Sequence, residues 1–320
     1  MKRLLFIMVA LMAVACTKQG GRAYVDLNIG YEVNGEVNGE PLVTDTLCYV
    51  NEAGNPFLVT EIQWFLSDIQ LLDQDGEWHL LKQRDAVDSI TELTEHIFYI
   101  DTDIPESQTL RGKEIPVGHY TRLRFTFGLD ETDNQTGLFS DPPESDMFWP
   151  DMLGGGYHYM KLNGKYINED GRLAPLAIHL GIGQNEDFTQ FYQNYFIVEL
   201  PIDFNVKENT DFNVKENTDN QLDLTMVIDN WFRNPNLYDF NIYGSHIMQN
   251  QSAQRLLNGN GKDVFKIGKP AENGNDMDKK KTDQLAEKLK SVMQKGSPQP
   301  HFWSWKSMKE RIENMKKTVA

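Results

Sequence analysis

A strict alternation of apolar and polar residues near the start of the chain constrains its fold more than any other feature. Within Tyr24–Val33, every second residue is apolar: Val25, Leu27, Ile29, Tyr31 and Val33. Since successive side chains of a strand point to opposite faces, this run predicts a half-buried β-strand. The same period recurs in three later segments, Thr121–Asp130, Tyr195–Phe204 and Leu222–Phe232.

Many short alternating segments with turn signals between them predict an all-β domain, either an antiparallel sandwich or a barrel. Asp75-Gly76 indicates a hairpin turn, and Phe57–Leu72 is strand material with a predicted break at Ser67-Asp68. Ser245–Leu257 predicts one short helix, capped by Ser245 and ended by Asn258-Gly259.

The first sixteen residues have the layout of a secretory signal. A basic start, an apolar run and small residues precede Cys16, which resembles a bacterial lipoprotein cleavage box. We therefore expect cleavage before Cys16, lipid on its thiol, and membrane attachment through that lipid alone. A linker is predicted over residues 17–23 and the folded domain over 24–268. Cys48 lies in an apolar run, which favours a buried, inert thiol over a metal ligand.

Charge separates the domain from its C-terminal tail. Residues 269–320 hold 12 basic and 7 acidic side chains, which gives them a net charge of +5. Since the whole chain has a formal net charge of −16, residues 1–268 have a net charge of −21. An acidic body disfavours nucleic acid as a partner and favours cations or basic partners. The tail is predicted to be basic and amphipathic, and either helical or disordered.

One octapeptide occurs twice without change, at Asp203–Thr210 and Asp211–Thr218. Eight residues are too few for a structural repeat unit. We interpret the duplication as a longer loop between two strands, which costs little because closure entropy grows slowly with loop length.

The densest group of candidate functional residues lies in one strand–turn–strand unit, between Asp146 and Gly181. It contains Trp149, His158, Met160 and His179. If the segments Tyr157–Leu162 and Leu176–Leu180 pair, both histidines can reach one metal ion, with the period of two placing His158 on the face of Met160. Imidazole and thioether ligands suit copper. The alternative at this point is two histidines that form separate hydrogen bonds near the core.

Two further histidines, His119 and His246, are reserve metal candidates. His79, His96 and His301 are expected to be solvated. The sequence contains no G-x-S-x-G elbow, P-loop, H-E-x-x-H or paired-cysteine zinc spacing, so we expect no enzyme. The acidic turn at Asp130–Asn134 lacks the EF-hand spacing and is expected to be a solvated loop.

Taken together, several segments resemble the MbnP-like family. They are the first strand, Ile62–Leu72, Gly118–Asp130, Met147–Trp149, Gly156–Gly164 and His179–Gly181, and the resemblance covers residues 24–268. In place of the short link of many relatives, Pro150–Gly156 here separates the M-F-W block from the following tyrosine.

The resemblance implies a β-sandwich that is secreted or attached to the cell surface. It also implies copper bound through two histidines and a kynurenine derived from tryptophan. A di-haem enzyme resembling cytochrome c peroxidase is implied as the partner that oxidises the tryptophan. The resemblance therefore implies that Trp149 is a modified ligand or a close neighbour of the metal.

We accordingly expect a cell-envelope lipoprotein, at the outer membrane or facing the periplasm, that binds copper through His158 and His179. Met160 is expected to be an auxiliary ligand. The competing hypothesis is a metal-free surface module that binds a glycan, peptide or protein through exposed Trp149, Tyr157 and Tyr159.

Overall fold

The computed structural model describes residues 21–33, 39–83, 92–185, 187, 189–209, 219–244 and 246–270. The predicted signal with Cys16, most of the linker, His301 and nearly all of the tail lie outside these residues. The helices within the described residues are too short or too polar to span a lipid bilayer.

The described chain is built mainly from strands. In chain order they are β1 (Arg22–Val33), β2 (Glu40–Pro41), β3 (Tyr49–Val50), β4 (Pro56–Asp73), β5 (Trp78–Leu80), β6 (Lys82–Gln83), β7 (Ile97–Asp101), β8 (Thr109–Pro116), β9 (Gly118–Phe127), β10 (Met160–Ile167), β11 (Leu173–Leu180), β12 (Gly183–Gln184), β13 (Phe191–Tyr192), β14 (Phe196–Val206), β15 (Gln221–Val227) and β16 (Phe265–Ile267). The α-helices are α1 (Phe240–Tyr243) and α2 (Gln251–Gly261), and short 3-10 helices lie at Pro105–Gln108, Glu144–Met147, Asp151–Leu153 and Ile228–Phe232.

Two large sheets form a β-sandwich, as predicted. One has the order β16-β15-β1-β8-β6, with β2 also paired to β1, and the other has the order β11-β10-β4-β9-β14, with β3, β5 and β7 also paired to β4. Strands β12 and β13 form a separate small pair. Pairing between these strands is antiparallel except between β1 and β15, which run parallel. Most buried apolar side chains of both sheets belong to one continuous core.

The alternation in β1 has the predicted apolar face, and its other face is only partly buried. Its apolar residues are at most 7% exposed, and Glu32 on the other face is 0% exposed. β1 lies between β15 and β8, and Lys266 of β16 donates to both carboxylate oxygens of Glu32 at 2.7 and 2.8 Å. The predicted half-buried strand is therefore confirmed, and at Glu32 a charge partner from the edge strand β16 covers the polar face.

The predicted break in the Phe57–Leu72 segment is a bulge within one long strand. β4 continues through Ser67 and Asp68, while its register against β9 shifts between Ser67 and Gln70. Asp68 has a φ of 51°, so the extra residue bends the backbone without ending the pairing.

The short helix is present with different ends. α2 begins at Gln251, where the side chain of Asn250 caps it by accepting from the amide of Ala253. Asn258 and Gly259 lie inside α2 and do not end it. Ser245 lies outside the described residues, and the side chain of Asn250 performs the capping expected of Ser245.

The duplicated octapeptide is not wholly a loop. Asp203–Val206, the first half of the first copy, forms the end of β14, and Phe204 pairs with Tyr120 of β9. Phe204 and Val206 are buried, whereas Asp203 and Asn205 are exposed, so this half has the strand period. The second copy lies outside the described residues.

Candidate metal centre

Strands β10 and β11 form the predicted hairpin and bring the two histidines together. Met160 pairs with Leu180 and Lys161 pairs with His179. The turn is tighter than expected, because pairing extends to Ile167 and Leu173 on either side of it. The cross-strand pair of Lys161 and His179 therefore lies on the face of the sheet opposite to Met160 and Leu180.

His158 lies outside the regular strand. β10 begins at Met160, and the chain bends at Tyr159. Because the bend interrupts the period of two, the side chain of His158 lies beside His179 and not on the face of Met160. The predicted face was wrong, although the predicted meeting of the two histidines is confirmed by their ring contact.

Three rings are in contact at this point. The centroids of the His158 and His179 rings are 5.2 Å apart, with their planes at 83°. The centroids of Trp149 and His158 are 4.7 Å apart, at 74°. A metal about 2 Å from an imidazole nitrogen is about 3 Å from the ring centre, so two rings on one ion have centres about 4.5–6 Å apart. The spacing of the histidine rings lies inside that range.

The hydrogen bonds of His158 leave one ring nitrogen for a ligand. Its Nδ1 lies 2.9 Å from the backbone carbonyl of Met147, so Nδ1 donates and carries the proton. Nε2 is then the acceptor nitrogen, and it is buried without a hydrogen-bond partner. A buried acceptor without a partner is unfavourable in an ordinary core, and it is the arrangement that a metal ligand needs.

His179 is oriented by a short polar chain. Its Nε2 lies 2.9 Å from Oδ1 of Asn163 and donates to it. Asn163 in turn donates through Nδ2 to Oε2 of Glu61 at 3.3 Å. The protonated nitrogen of His179 is therefore Nε2, and Nδ1 has the lone pair. Gln254 of α2 donates to the His179 backbone carbonyl at 2.7 Å and fixes the end of β11.

Both imidazoles are neutral at physiological pH. Burial lowers the pKa of His158 to about 3 and the pKa of His179 to about 4. Lys161 adds to both shifts, because its positive charge opposes a second cation nearby. A neutral imidazole is the form that binds a metal, so no proton has to leave either ring first.

Trp149 fills a small core of its own beside the histidines. It is 0% exposed and packs with Leu153 and Ile182. Its Nε1 donates to the carbonyl of Leu153 at 3.0 Å, so residues 150–156 close over the indole as a loop. From the other side Gly181 touches the ring so closely that an added Cβ would lie 2.5 Å from Cε3.

The glycine run of this loop has a structural function. Gly154, Gly155 and Gly156 all have φ between 72° and 113°, where other residues are strained. A Cβ on Gly154 would collide with Ile182. The Pro150–Gly156 loop therefore builds the wall that encloses Trp149.

Lys161 is the charged side chain closest in register to the histidine pair. Its Nζ donates to the backbone carbonyl of Asp146 at 2.6 Å. Burial lowers its pKa, and the carboxylates of Asp146, Glu61 and Asp101 oppose that shift. The 3-10 helix Glu144–Met147 thus directs successive carbonyls at Lys161 and at His158.

The auxiliary and reserve metal candidates lie at other positions than the pair of His158 and His179. Met160 is 0% exposed and belongs to the main core, so it does not accompany the histidines. His119 lies at the start of β9, where Nε2 bonds Asp203 at 2.8 Å and Nδ1 bonds Gln74 at 3.0 Å. His246 is exposed and bridges to Ala177, two residues from His179, and its charge contributes to lowering the pKa of His179.

Two histidines expected to be solvated are paired with carboxylates. His79 lies 2.6 Å from Asp73, and His96 lies 2.8 Å from Asp133. Both are partly buried, so the expectation was wrong: nearby strands bring the acidic partners to them. His96 thereby ties β7 to the acidic turn that contains Asp133, and its pKa is raised by the hydrogen bond to that carboxylate.

The three aromatic residues of the competing hypothesis offer no binding surface. Trp149, Tyr157 and Tyr159 are at most 2% exposed. Tyr157 packs against Phe65 and Phe139, and the hydroxyl of Tyr159 bonds Asn134 and Gln193. They stabilise the core and do not form a recognition face.

Comparison with known proteins places this chain in a family. The family model MbnP matches residues 25–249. The structure is similar to MbnP from Methylosinus trichosporium, with a TM-score of 0.50 and 14% sequence identity, covering 78% of this chain and 99% of that one. No curated protein sequence matches the chain significantly. At that identity the structural likeness shows the fold, and the family match shows membership: the chain belongs to the MbnP family.

Proposed function

We propose that this protein binds copper through Nε2 of His158 and Nδ1 of His179, in a cell-envelope lipoprotein that is not itself an enzyme. The observation that carries the proposal is the buried Nε2 of His158, which has no hydrogen-bond partner while Nδ1 is held by Met147. The copper association implied by the family resemblance names the metal, and the two neutral imidazoles are suitable ligands for it.

Two features of the histidine pair support the proposal. The two rings lie at a spacing that one ion can bridge, 5.2 Å between centroids, and each has its other nitrogen hydrogen-bonded to the protein. Such hydrogen bonds fix the tautomer and the ring orientation, and losing one costs about 10–100-fold in metal affinity. Copper bound here would supply a redox-active cation, while the protein supplies orientation and excludes water.

Trp149 is proposed as the third component, oxidised to kynurenine by a di-haem enzyme resembling cytochrome c peroxidase. The contact with His158 supports this role, because the amine and ketone groups that remain when the five-membered ring of the indole is cleaved would lie beside the histidine pair. Since Trp149 is fully buried, the enzyme must act through electron transfer across the protein or on an opened 150–156 loop.

The cell-envelope location is proposed from the signal-like start and Cys16, with the membrane reached only through lipid. Mass measurement of the protein from its native host tests both covalent proposals. A lipid-bearing N-terminal cysteine at position 16 and an oxidised residue 149 are expected. An intact signal segment would contradict the first proposal, and an unmodified Trp149 would contradict the second.

The copper site is tested by equilibrium titration of the chain with Cu(I) and Cu(II). Replacing both histidines, His158→Ala with His179→Ala, should remove stoichiometric binding, and each single change should weaken it tenfold or more (about 1.4 kcal/mol or more). His119→Ala is the matched control, because it removes an imidazole whose two nitrogens already bond Asp203 and Gln74. Unchanged copper binding by the double variant would exclude the site.

A further inference from the structure

A cavity of about 220 Å³ lies apart from the proposed metal centre. It is lined by residues of β4, β6 and β7 and of the segment 138–144, and none of His158, His179 and Trp149 lines it. Pockets for drug-sized ligands have volumes of roughly 300–1,000 Å³. The cavity therefore fits a smaller molecule, about the size of one aromatic ring with a short substituent.

Four apolar side chains form one part of the lining, which we call the apolar wall. Phe65 is fully buried, and its ring stacks on that of Phe139, with centroids 5.4 Å apart and planes at 7°. The buried Ile97 and the partly buried Leu138 add aliphatic surface. The apolar wall favours a ligand with an apolar body, because their contact removes both surfaces from water.

Two hydrogen-bond donors of the lining are already used within the protein. Nε2 of Gln83 donates to the backbone carbonyls of Thr94 and Ile97. The hydroxyl of Tyr99 donates to Oδ2 of Asp101 at 2.7 Å. These donors are thus directed at protein acceptors, and the carboxylates of the lining are the groups that can recognise a ligand.

Two carboxylates give the cavity its charge. Among the described residues that line it, the charged ones are Asp141 and Glu144, and both are acidic. Burial raises the pKa of Glu144, and the nearby charge of Asp141 raises it further. Both effects oppose a negative charge on Glu144, and a cation bound beside it would offset them. The net charge of −21 on residues 1–268 adds a long-range attraction for cations.

We infer that this cavity binds a small organic cation, whose ammonium group pairs with Glu144 and Asp141 and whose apolar body lies against the apolar wall. An ammonium group satisfies carboxylates through charge-assisted hydrogen bonds. The apolar wall selects an organic cation over an inorganic one, because a bare ion has no apolar surface to bury. The inference goes beyond the copper-binding function proposed above and does not depend on it.

The test compares three probes by NMR titration of the full chain without copper, following the backbone amides of Ile97, Tyr99 and Ser140. Benzylamine joins one aromatic ring to one ammonium group. Benzyl alcohol has nearly the same shape without the charge, and methylammonium has the charge without the ring. We expect benzylamine to bind with a dissociation constant of about 10 mM or lower. Each partial probe should bind about tenfold more weakly or worse, because it lacks either the charged hydrogen bond or the buried ring.

Two substitutions test the carboxylates, since each removes a charge and keeps the shape of the side chain. Glu144→Gln should weaken benzylamine binding about tenfold or more. Asp141→Asn should weaken it less, because Asp141 is exposed whereas Glu144 is partly buried. Glu169→Gln is the matched control, because it removes the same charge from an exposed glutamate between β10 and β11, outside the cavity. Its affinity should equal that of the natural chain, and thermal unfolding verifies that each variant is folded.

Several results would overturn the inference. If about 10 mM benzylamine leaves the three amides unchanged, the cavity is not a site for such a cation. If benzyl alcohol or methylammonium binds as tightly as benzylamine, the cavity does not recognise charge and apolar body together. If Glu169→Gln weakens binding as much as Glu144→Gln does, the acidic surface attracts the amine without a specific site. None of these results involves copper, so they leave the proposed metal site to its own test.

Discussion

The ring of Trp149 meets the ring of His158 at 4.7 Å between centroids, with the two planes at 74°. This contact joins a fully buried aromatic residue to a histidine whose Nε2 has no hydrogen-bond partner. The position of the indole therefore helps to set the position of the proposed ligand His158. Substitutions that shift Trp149 should weaken copper binding.

Gly181→Ala tests that dependence. The new Cβ would lie 2.5 Å from Cε3 of Trp149, so the indole or β11 must move. Overpacking of this kind costs about 1–3 kcal/mol of unfolding free energy. We expect that loss in chemical denaturation together with weaker copper binding. Gly118→Ala is the control, because an added Cβ there meets nothing within 4 Å. Equal stability of the two variants would contradict the packing described.

Asn163→Ala tests the support of His179. Its Oδ1 accepts the proton on Nε2 of His179, so its loss frees the ring to rotate or to change tautomer. We expect copper affinity to fall about tenfold or more, with little change in the fold. Glu61→Gln retains an acceptor for Nδ2 of Asn163 and should bind copper nearly as the natural chain does. Normal affinity in Asn163→Ala would show that the hydrogen bond does not orient the ligand.

The buried histidines predict acid sensitivity of the metal-free protein. In the unfolded chain both titrate near pH 6.5, whereas in the folded chain burial lowers the pKa of His158 to about 3 and that of His179 to about 4. Between pH 6.5 and 4 the unfolded state binds more protons, so unfolding free energy falls as the pH falls.

The two histidines leave the unfolding free energy unchanged above about pH 6.5 and lower it progressively towards pH 4, by at most about 1.4 kcal/mol per pH unit for each histidine. Denaturation curves at several pH values measure it. A double variant, His158→Gln with His179→Gln, should have a smaller slope in this range. Identical slopes in the two proteins would mean that these histidines are not neutral in the folded state.

Met160→Leu should leave copper binding unchanged. Met160 lies in the main core, on the face opposite to the pair of Lys161 and His179, and leucine conserves most of its volume. Titration of the variant with Cu(I) is the measurement. If the copper affinity falls by more than the loss of stability explains, the thioether of Met160 is a copper ligand after all.

The amino-acid sequence by itself determined the apolar faces of the main strands and allowed the pairing that brings the histidines together. The period of two identified the apolar faces of β1 and β9, whose predicted inward residues are buried. The segments Tyr157–Leu162 and Leu176–Leu180 are a candidate hairpin in the sequence, and the structure forms it as β10 and β11. These features depend on local periodicity and turn chemistry, which neighbouring residues carry by themselves.

Only the tertiary structure decided which nitrogens are free and what surrounds them. The bend at Tyr159 turned His158 away from Met160, and carbonyls from Glu144–Met147 fixed both His158 and Lys161. A loop of three glycines with positive φ buried Trp149. Hydrogen bonds and burial of this kind join residues that are distant along the chain, so their geometry follows from packing in three dimensions and not from the period of any one segment.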